Sequence, residues 1–279
     1  MIEKEIIKQT KLLASKIRIK SLEMAFNAGK NGAHLGGALS LAEIFAVLYG
    51  CILSVNPRNP NDPERDRLVV SKGHCVLSYY AALNEAGFIS DEELTRFETN
   101  GSMLHGHATR NLSLGIEFSG GSLGMGVSFA IGVALAGKMN HKPYHVNIIA
   151  GDGECNEGIV WEAFMSAAHF KLDNLTVIID HNKFQYDGDL KTIMDMGSLK
   201  TKLDAFGFHS IEVDGHHVSE IIEAFQNHVS GKPLAIIANT IKGKGVSFME
   251  NRKEWHHGIL SKELYEKAMA EQPTLQKYL

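Results

Sequence analysis

Cysteine is scarce in this chain. Cys51, Cys75 and Cys155 are odd in number and follow no C-x-x-C spacing, which argues against a disulfide framework or a structural zinc site and fits a reducing cytoplasm. Long apolar runs are missing too. The longest, residues 127–137, is interrupted by Gly132 and falls well short of the roughly 20 residues that span a bilayer. The opening Met1-Ile2-Glu3-Lys4-Glu5 lacks the apolar stretch of a secretory signal, so a soluble protein without membrane contact is expected. Neither charge dominates: 28 Lys+Arg and 32 Asp+Glu, net −4, are interleaved along the whole length, and nothing in that balance asks for nucleic acid. Proline is sparse, and three of the six prolines fall within residues 54–66, which therefore read as a surface loop and not as a linker. There is no internal repeat and no low-complexity tract.

What remains is a chain of 279 residues, 44% hydrophobic, long enough to bury a full core and read as one domain spanning 1–279. Ile7, Leu12, Leu13, Ile17, Ile19, Leu22, Met24 and Phe26 recur among lysines at nearly helical spacing, predicting an amphipathic helix over 4–28. Further helices are predicted at 40–49, 76–87, 91–98, 124–138, 157–170, 217–228 and 261–270. Short runs rich in β-branched residues at 146–150, 175–180, 210–213 and 234–238 have the composition of strands buried on both faces. Strand and helix alternate through the second half, which predicts an α/β fold: a doubly wound, mostly parallel sheet with helices on both faces. Ligands then belong at the carboxyl ends of the strands.

Two loops sit at those ends. Gly151-Asp152-Gly153-Glu154 follows one strand and His181-Asn182-Lys183-Phe184 follows the next. The glycines allow a tight turn and close approach of bare N–H groups to a phosphate, and the helix starting near Glu157 aims its positive end at the same place. Mg2+ prefers hard oxygen ligands, which the Asp152 carboxylate, the Asn182 side-chain carbonyl and the Phe184 backbone carbonyl can provide. A Gly-Asp-Gly alone is ordinary turn chemistry. The thirty residues between Asp152 and Asn182, holding one helix and one strand, change the odds, because they place both side chains at one sheet edge on neighbouring strands.

Several other motifs occur in order: Ala33-His34-Leu35-Gly36-Gly37, Ser71-Lys72-Gly73-His74, Gly106-His107, Ser119-Gly120-Gly121-Ser122-Leu123-Gly124, Glu157-Gly158, Asp187-Gly188, Lys242-Gly243-Lys244-Gly245 and His257-Gly258. Together with the GDG…Asn spacing they make the chain resemble the N-terminal, diphosphate-binding half of the transketolase family along nearly its entire length. The resemblance implies thiamine diphosphate and Mg2+ as cofactors, with Ca2+ or Mn2+ able to replace the magnesium. It implies that His74 and His257 lie near the diphosphate, that His34 and His257 also lie near the reacting hydroxyl, and that His107 holds the sugar donor. Gly121 and Leu123 would reach the aminopyrimidine through backbone groups, Gly153 would face the diphosphate, and Phe184 and Tyr186 would supply apolar surface beneath the cofactor. His105 and His256 read as structural neighbours of better-matched residues. One departure is that Gly106-His107 is followed by Ala108 where the family has proline.

In the family the glutamate that activates the cofactor belongs to a pyrimidine-binding module, which this sequence does not contain. The resemblance therefore implies a separate C-terminal transketolase subunit carrying that module and glutamate, and self-association into a dimer of such pairs. Glu157 matches a family glutamate that meets the activating carboxylate across the subunit interface; alternatively it caps the start of its helix. Two rival readings stay open at this level. One is a subunit of another split thiamine diphosphate enzyme, acting on 2-oxo acids or making acyloins or deoxyketoses. The other is a non-catalytic subunit that binds the cofactor for regulation.

Overall fold

The structure, a computed structural model, describes residues 2–273; the remaining end residues of the expected 1–279 domain lie outside the described residues. Five parallel strands form one sheet in the order β1-β2-β3-β5-β4: β1 Arg67–Val70, β2 Val146–Gly151, β3 Leu175–His181, β4 His209–Asp214 and β5 Leu234–Asn239. The strands were expected to be buried on both faces, and the central ones are. Along β3, Leu175, Val177 and Ile179 enter one core while Ile178 enters the other, because successive side chains leave a strand on opposite faces.

One core is closed by α1 (Ile2–Asn27), α3 (Ala42–Val47), α4 (Val76–Glu85) and α10 (Val218–Phe225), with the short α2 (Gly36–Leu39) and α11 (Lys262–Ala270) beside them. The other is closed by α6 (Met125–Met139), α7 (Gly158–His169) and α9 (Leu199–Phe206). The sheet is thus covered on both sides, as the alternation predicted. α10 shows how: Val218, Ile221, Ala224 and Phe225 are its buried residues, a stripe at helical spacing. Side-chain caps start several helices, with Ser90 Oγ accepting from Glu93 N–H before α5 (Asp91–Thr95) and Ser261 Oγ accepting from Leu264 N–H before α11, each satisfying an N–H with no intrahelical partner.

Several elements depart from the sequence expectation. β1 was not expected: four residues directly after the proline-rich loop carry too little pattern, and they become a strand through pairing with β2 from Arg67↔Val146 to Val70↔Ile149. The expected helix at 91–98 ends at Thr95, and Glu98 adopts a left-handed φ of 57°. Two short helices, α8 (Leu190–Met194) and α9, fill a stretch left unassigned. The apolar run at 127–137 lies in α6, where Val127, Ala130, Ile131 and Ala134 pack onto the sheet. No described helix is long and apolar enough to cross a membrane.

Candidate active site

A parallel sheet sends all its carboxyl ends to one edge, and there β1 runs into Ser71 to His74, β2 into Asp152, β3 into Asn182 and β5 into Thr240. Gly151 pairs with Asp180, so Asp152 and Asn182 emerge side by side. Asp152 Oδ1 accepts from Gly153 N–H at 2.8 Å and Oδ2 from Lys183 N–H at 2.5 Å. Both partners are backbone groups, and the residue is 1% exposed. Burial, with Asp180 nearby, pushes its carboxyl up to about 7. Asn182 donates its Nδ2 to Asp180 at 2.9 Å, and its Oδ1 accepts from Phe184 N–H at 3.0 Å.

Asp180 is the anchor beneath this pair. It accepts from Lys72 Nζ, Ser40 Oγ, Thr240 Oγ1 and Asn182. Burial opposes its charge, yet Lys72 and these donors hold its carboxyl below the usual range. Glu154 does comparable work beside it: buried, it accepts from Ser71 Oγ, from Gly124 N–H at 2.7 Å and from Gly151 N–H at 3.0 Å. It thereby ties the Gly120-Gly121 loop to the end of β2. That loop meets the turn after β1 backbone to backbone. A Cβ on Gly120 would lie 2.9 Å from Gly73 Cα, so neither position tolerates a side chain.

The histidines converge above. Ala33 and Gly258 exchange backbone hydrogen bonds at 2.9 and 3.0 Å, which brings the His34 and His257 rings to 4.6 Å. His107 lies 5.1 Å and His74 5.9 Å from His34. Ala108, the residue in place of proline, accepts from Gly120 N–H at 2.9 Å, fastening the His107 loop to the glycine loop. Burial, and then neighbouring His257, His107 and Lys242, lower His34 to about 4. Burial and Lys72 lower His74 further below its ordinary value, and burial lowers His107 as well. These three rings are neutral at pH 7.

A cleft of about 340 Å3 gathers His34, His74, His107, Gly121 and Leu123 on one side and Asp152, Gly153, Glu157, Asn182, Phe184 and Tyr186 on the other. His257 lines an adjoining hollow of about 280 Å3, which shares Tyr186, Asp187 and His256 with the cleft. Glu157 occupies the N-cap position of α7 without making a side-chain cap bond, and its side chain is free at the cleft rim.

The family described as "Transketolase, thiamine diphosphate binding domain" matches residues 9–271. The chain belongs to that transketolase family. It is 43% identical to the 6-deoxy-6-sulfo-D-fructose transketolase subunit of a Clostridium species, covering 92% of this chain and 94% of that one. It is 39% identical to one of the subunits of apulose-4-phosphate transketolase from Phocaeicola vulgatus, covering 95% and 94%. Human transketolase is 38% identical over 92% of this chain, which spans only 41% of that protein's length. Among solved structures, Campylobacter jejuni transketolase superposes with a TM-score of 0.87 at 32% identity, covering 98% of this chain and 45% of the other.

Four transketolase-site neighbours carry no role that the sequence assigns. Lys72 and Lys242 stand in motifs without a function, Glu154 looks like part of the turn, and His256 reads as a structural neighbour. His256 also lines the cleft, stacked on His74 at 4.9 Å. His105 does stay outside: its carbonyl accepts from Tyr80 Oη. A glutamate directly after GDG was the available signal for Glu154, but its target at Gly124 lies thirty residues earlier and no local pattern names it.

Proposed function

We propose that this chain binds thiamine diphosphate and Mg2+ in the cleft and, with a separate subunit, transfers a two-carbon ketol unit from a ketose phosphate, or a ketose with a comparable terminal anion, to an aldose phosphate in the cytoplasm. The observation that carries the reading is Asp152: a buried carboxylate whose hydrogen-bond partners are backbone N–H groups, beside the Asn182 amide oxygen, at the strand ends. A divalent metal satisfies that carboxylate, and Asp152, Asn182 and the Phe184 carbonyl are the oxygen ligands that suit it. The Gly153 backbone, which lines the cleft, and the start of α7 would then lie beside the phosphate groups, whose charge a helix N-terminus favours.

Bound there, the cofactor supplies the electron sink for carbon–carbon bond cleavage. The chain's own residues do the rest. His34 and His257, held 4.6 Å apart, take and return the hydroxyl proton. His107 donates to a sugar oxygen, and His74 to the diphosphate. The partner supplies the activating glutamate, which Glu157 meets at the rim.

The surface beside Glu157 supports a partner there. Met125 and Phe129 on α6 and Met165 on α7 are 49%, 38% and 55% exposed, and large apolar side chains left exposed on neighbouring helices next to a cleft suit an interface. Two relatives that this chain covers to 94% of their length are themselves named as transketolase subunits. The test is calorimetric titration of thiamine diphosphate with Mg2+ into the chain and into Asp152→Ala and Asn182→Ala. Loss of metal-dependent binding with an unchanged circular dichroism spectrum is expected; unchanged affinity in both variants overturns the clamp. Ketol transfer is expected only after mixing with a subunit bearing the pyrimidine-binding module, and robust transfer by the purified chain alone refutes the split.

A further inference from the structure

The ring of His256 sits where the cleft and the adjoining hollow meet. It stacks on His74 at 4.9 Å and 28°, lies edge-on to His34 at 5.6 Å, and lies edge-on to Tyr186 at 5.1 Å. Its Nδ1 is 3.0 Å from Lys242 Nζ. Lys242 is brought there by its own loop, whose Gly243 N–H donates to the Gly36 carbonyl at 2.9 Å.

An ammonium has hydrogens to give and no lone pair to offer. In this contact Nδ1 therefore accepts, and the single proton of the neutral ring resides on Nε2, on the far edge from Lys242. Burial, followed by the Lys242 charge, keeps the ring from protonating, lowering it to about 3. Burial and the neighbouring Lys72 lower Lys242 to about 8, so the ammonium predominates at pH 7. Nε2–H has no hydrogen-bond partner among the described residues, and the ring is half-buried in the cleft wall. A donor held in this way has its orientation settled before any ligand arrives, which is what makes a positioned hydrogen bond effective.

We propose that Lys242 locks His256 in the Nε2–H tautomer, and that His256 is a further ligand-contacting residue, donating to an oxygen of the ligand bound in the cleft. This rests on the cofactor reading above for the nature of that ligand. The oxygen belongs either to the cofactor's diphosphate or to the donor sugar, and the two leave different traces.

The first measurement is 15N NMR of the full chain labelled at histidine, without cofactor, with the His256 signals assigned by their loss in His256→Phe. An unprotonated Nδ1 and a protonated Nε2 are expected, with that preference lost in Lys242→Met. A protonated Nδ1 in the wild type overturns the tautomer assignment. The second measurement uses His256→Phe, which keeps the stacked ring and removes the donor. About tenfold or more weaker thiamine diphosphate binding by calorimetry identifies a diphosphate oxygen. A similar rise in donor KM with unchanged cofactor affinity, in the enzyme reconstituted with its partner subunit, identifies a sugar oxygen. No change in either overturns the contact. If the wild-type chain binds no thiamine diphosphate, the cofactor reading fails and the contact falls with it, while the tautomer is still decided by the spectrum.

Discussion

Away from the cleft, Glu43 on α3 joins three segments, and its removal from that company has a size that can be worked out. Glu43 Oε1 lies 2.6 Å from Arg18 Nη2 and Oε2 lies 3.0 Å from His216 Nδ1. Ile241 N–H donates to His216 Nε2 at 2.9 Å, and Arg18 Nε donates to the Lys244 carbonyl at 3.0 Å. The network therefore braces the loop that carries Lys242. Burial opposes the Glu43 charge, but Arg18 and His216 outweigh it and bring the carboxyl from 4.5 down to about 2. Because the folded value is depressed, this stabilisation is fully present above pH 4.5 and is lost as the pH falls toward 2. Arg18→Met leaves the carboxylate buried beside a neutral neighbour, which costs about 3–5 kcal/mol at pH 7. The charge can be discharged by taking up a proton, at about 1.4 kcal/mol per pH unit between 4.5 and 7, or about 3 kcal/mol in all. The variant's deficit should therefore shrink by roughly 3 kcal/mol between pH 7 and pH 4.5. Urea denaturation of both proteins at the two pH values, followed by circular dichroism, measures it. A deficit under about 1 kcal/mol at pH 7, or one that does not change with pH, refutes this account of the network.

Three further outcomes follow from the site. Glu154→Ala removes the acceptor of Ser71, Gly124 and Gly151 and leaves buried donors unpaired, so a loss of about 2–4 kcal/mol is expected, with weaker cofactor binding measurable by calorimetry even where the variant is folded. His34 is lowered from 6.5 to about 4, so its contribution to stability falls as the pH drops from 6.5 toward 4, where the unfolded chain takes up the proton first; His34→Asn should flatten the thermal midpoint against pH in that window. Phe129→Glu places a charge on the exposed face of α6 at the cost of one ring contact with Phe118, and should lower the thermal midpoint only slightly while preventing association with the proposed partner subunit in analytical ultracentrifugation.

Much of this was readable in the chain itself, because the relevant physics is local. Four β-branched runs and the helices between them required a parallel sheet covered on both faces, and a parallel sheet required its ligands at one edge. The interval between Asp152 and Asn182 was enough to place them on adjacent strands, since one helix and one strand fit between them. What could not be read depended on contacts between segments far apart in the chain. β1 exists as a strand because β2 pairs with it, and its four residues carry too little pattern to say so. Glu154 finds Gly124 and Ser71, and Asp180 finds Lys72, Ser40 and Thr240, only when the sheet brings five loops together. His256 looked like the lesser of two adjacent histidines until the fold set Lys242 against its Nδ1 and His74 against its face. Residue types and spacing determined which chemistry this edge of the sheet can hold; the tertiary structure decided which donors meet each buried charge and which ring nitrogens remain free, because both depend on neighbours that sequence distance does not reveal.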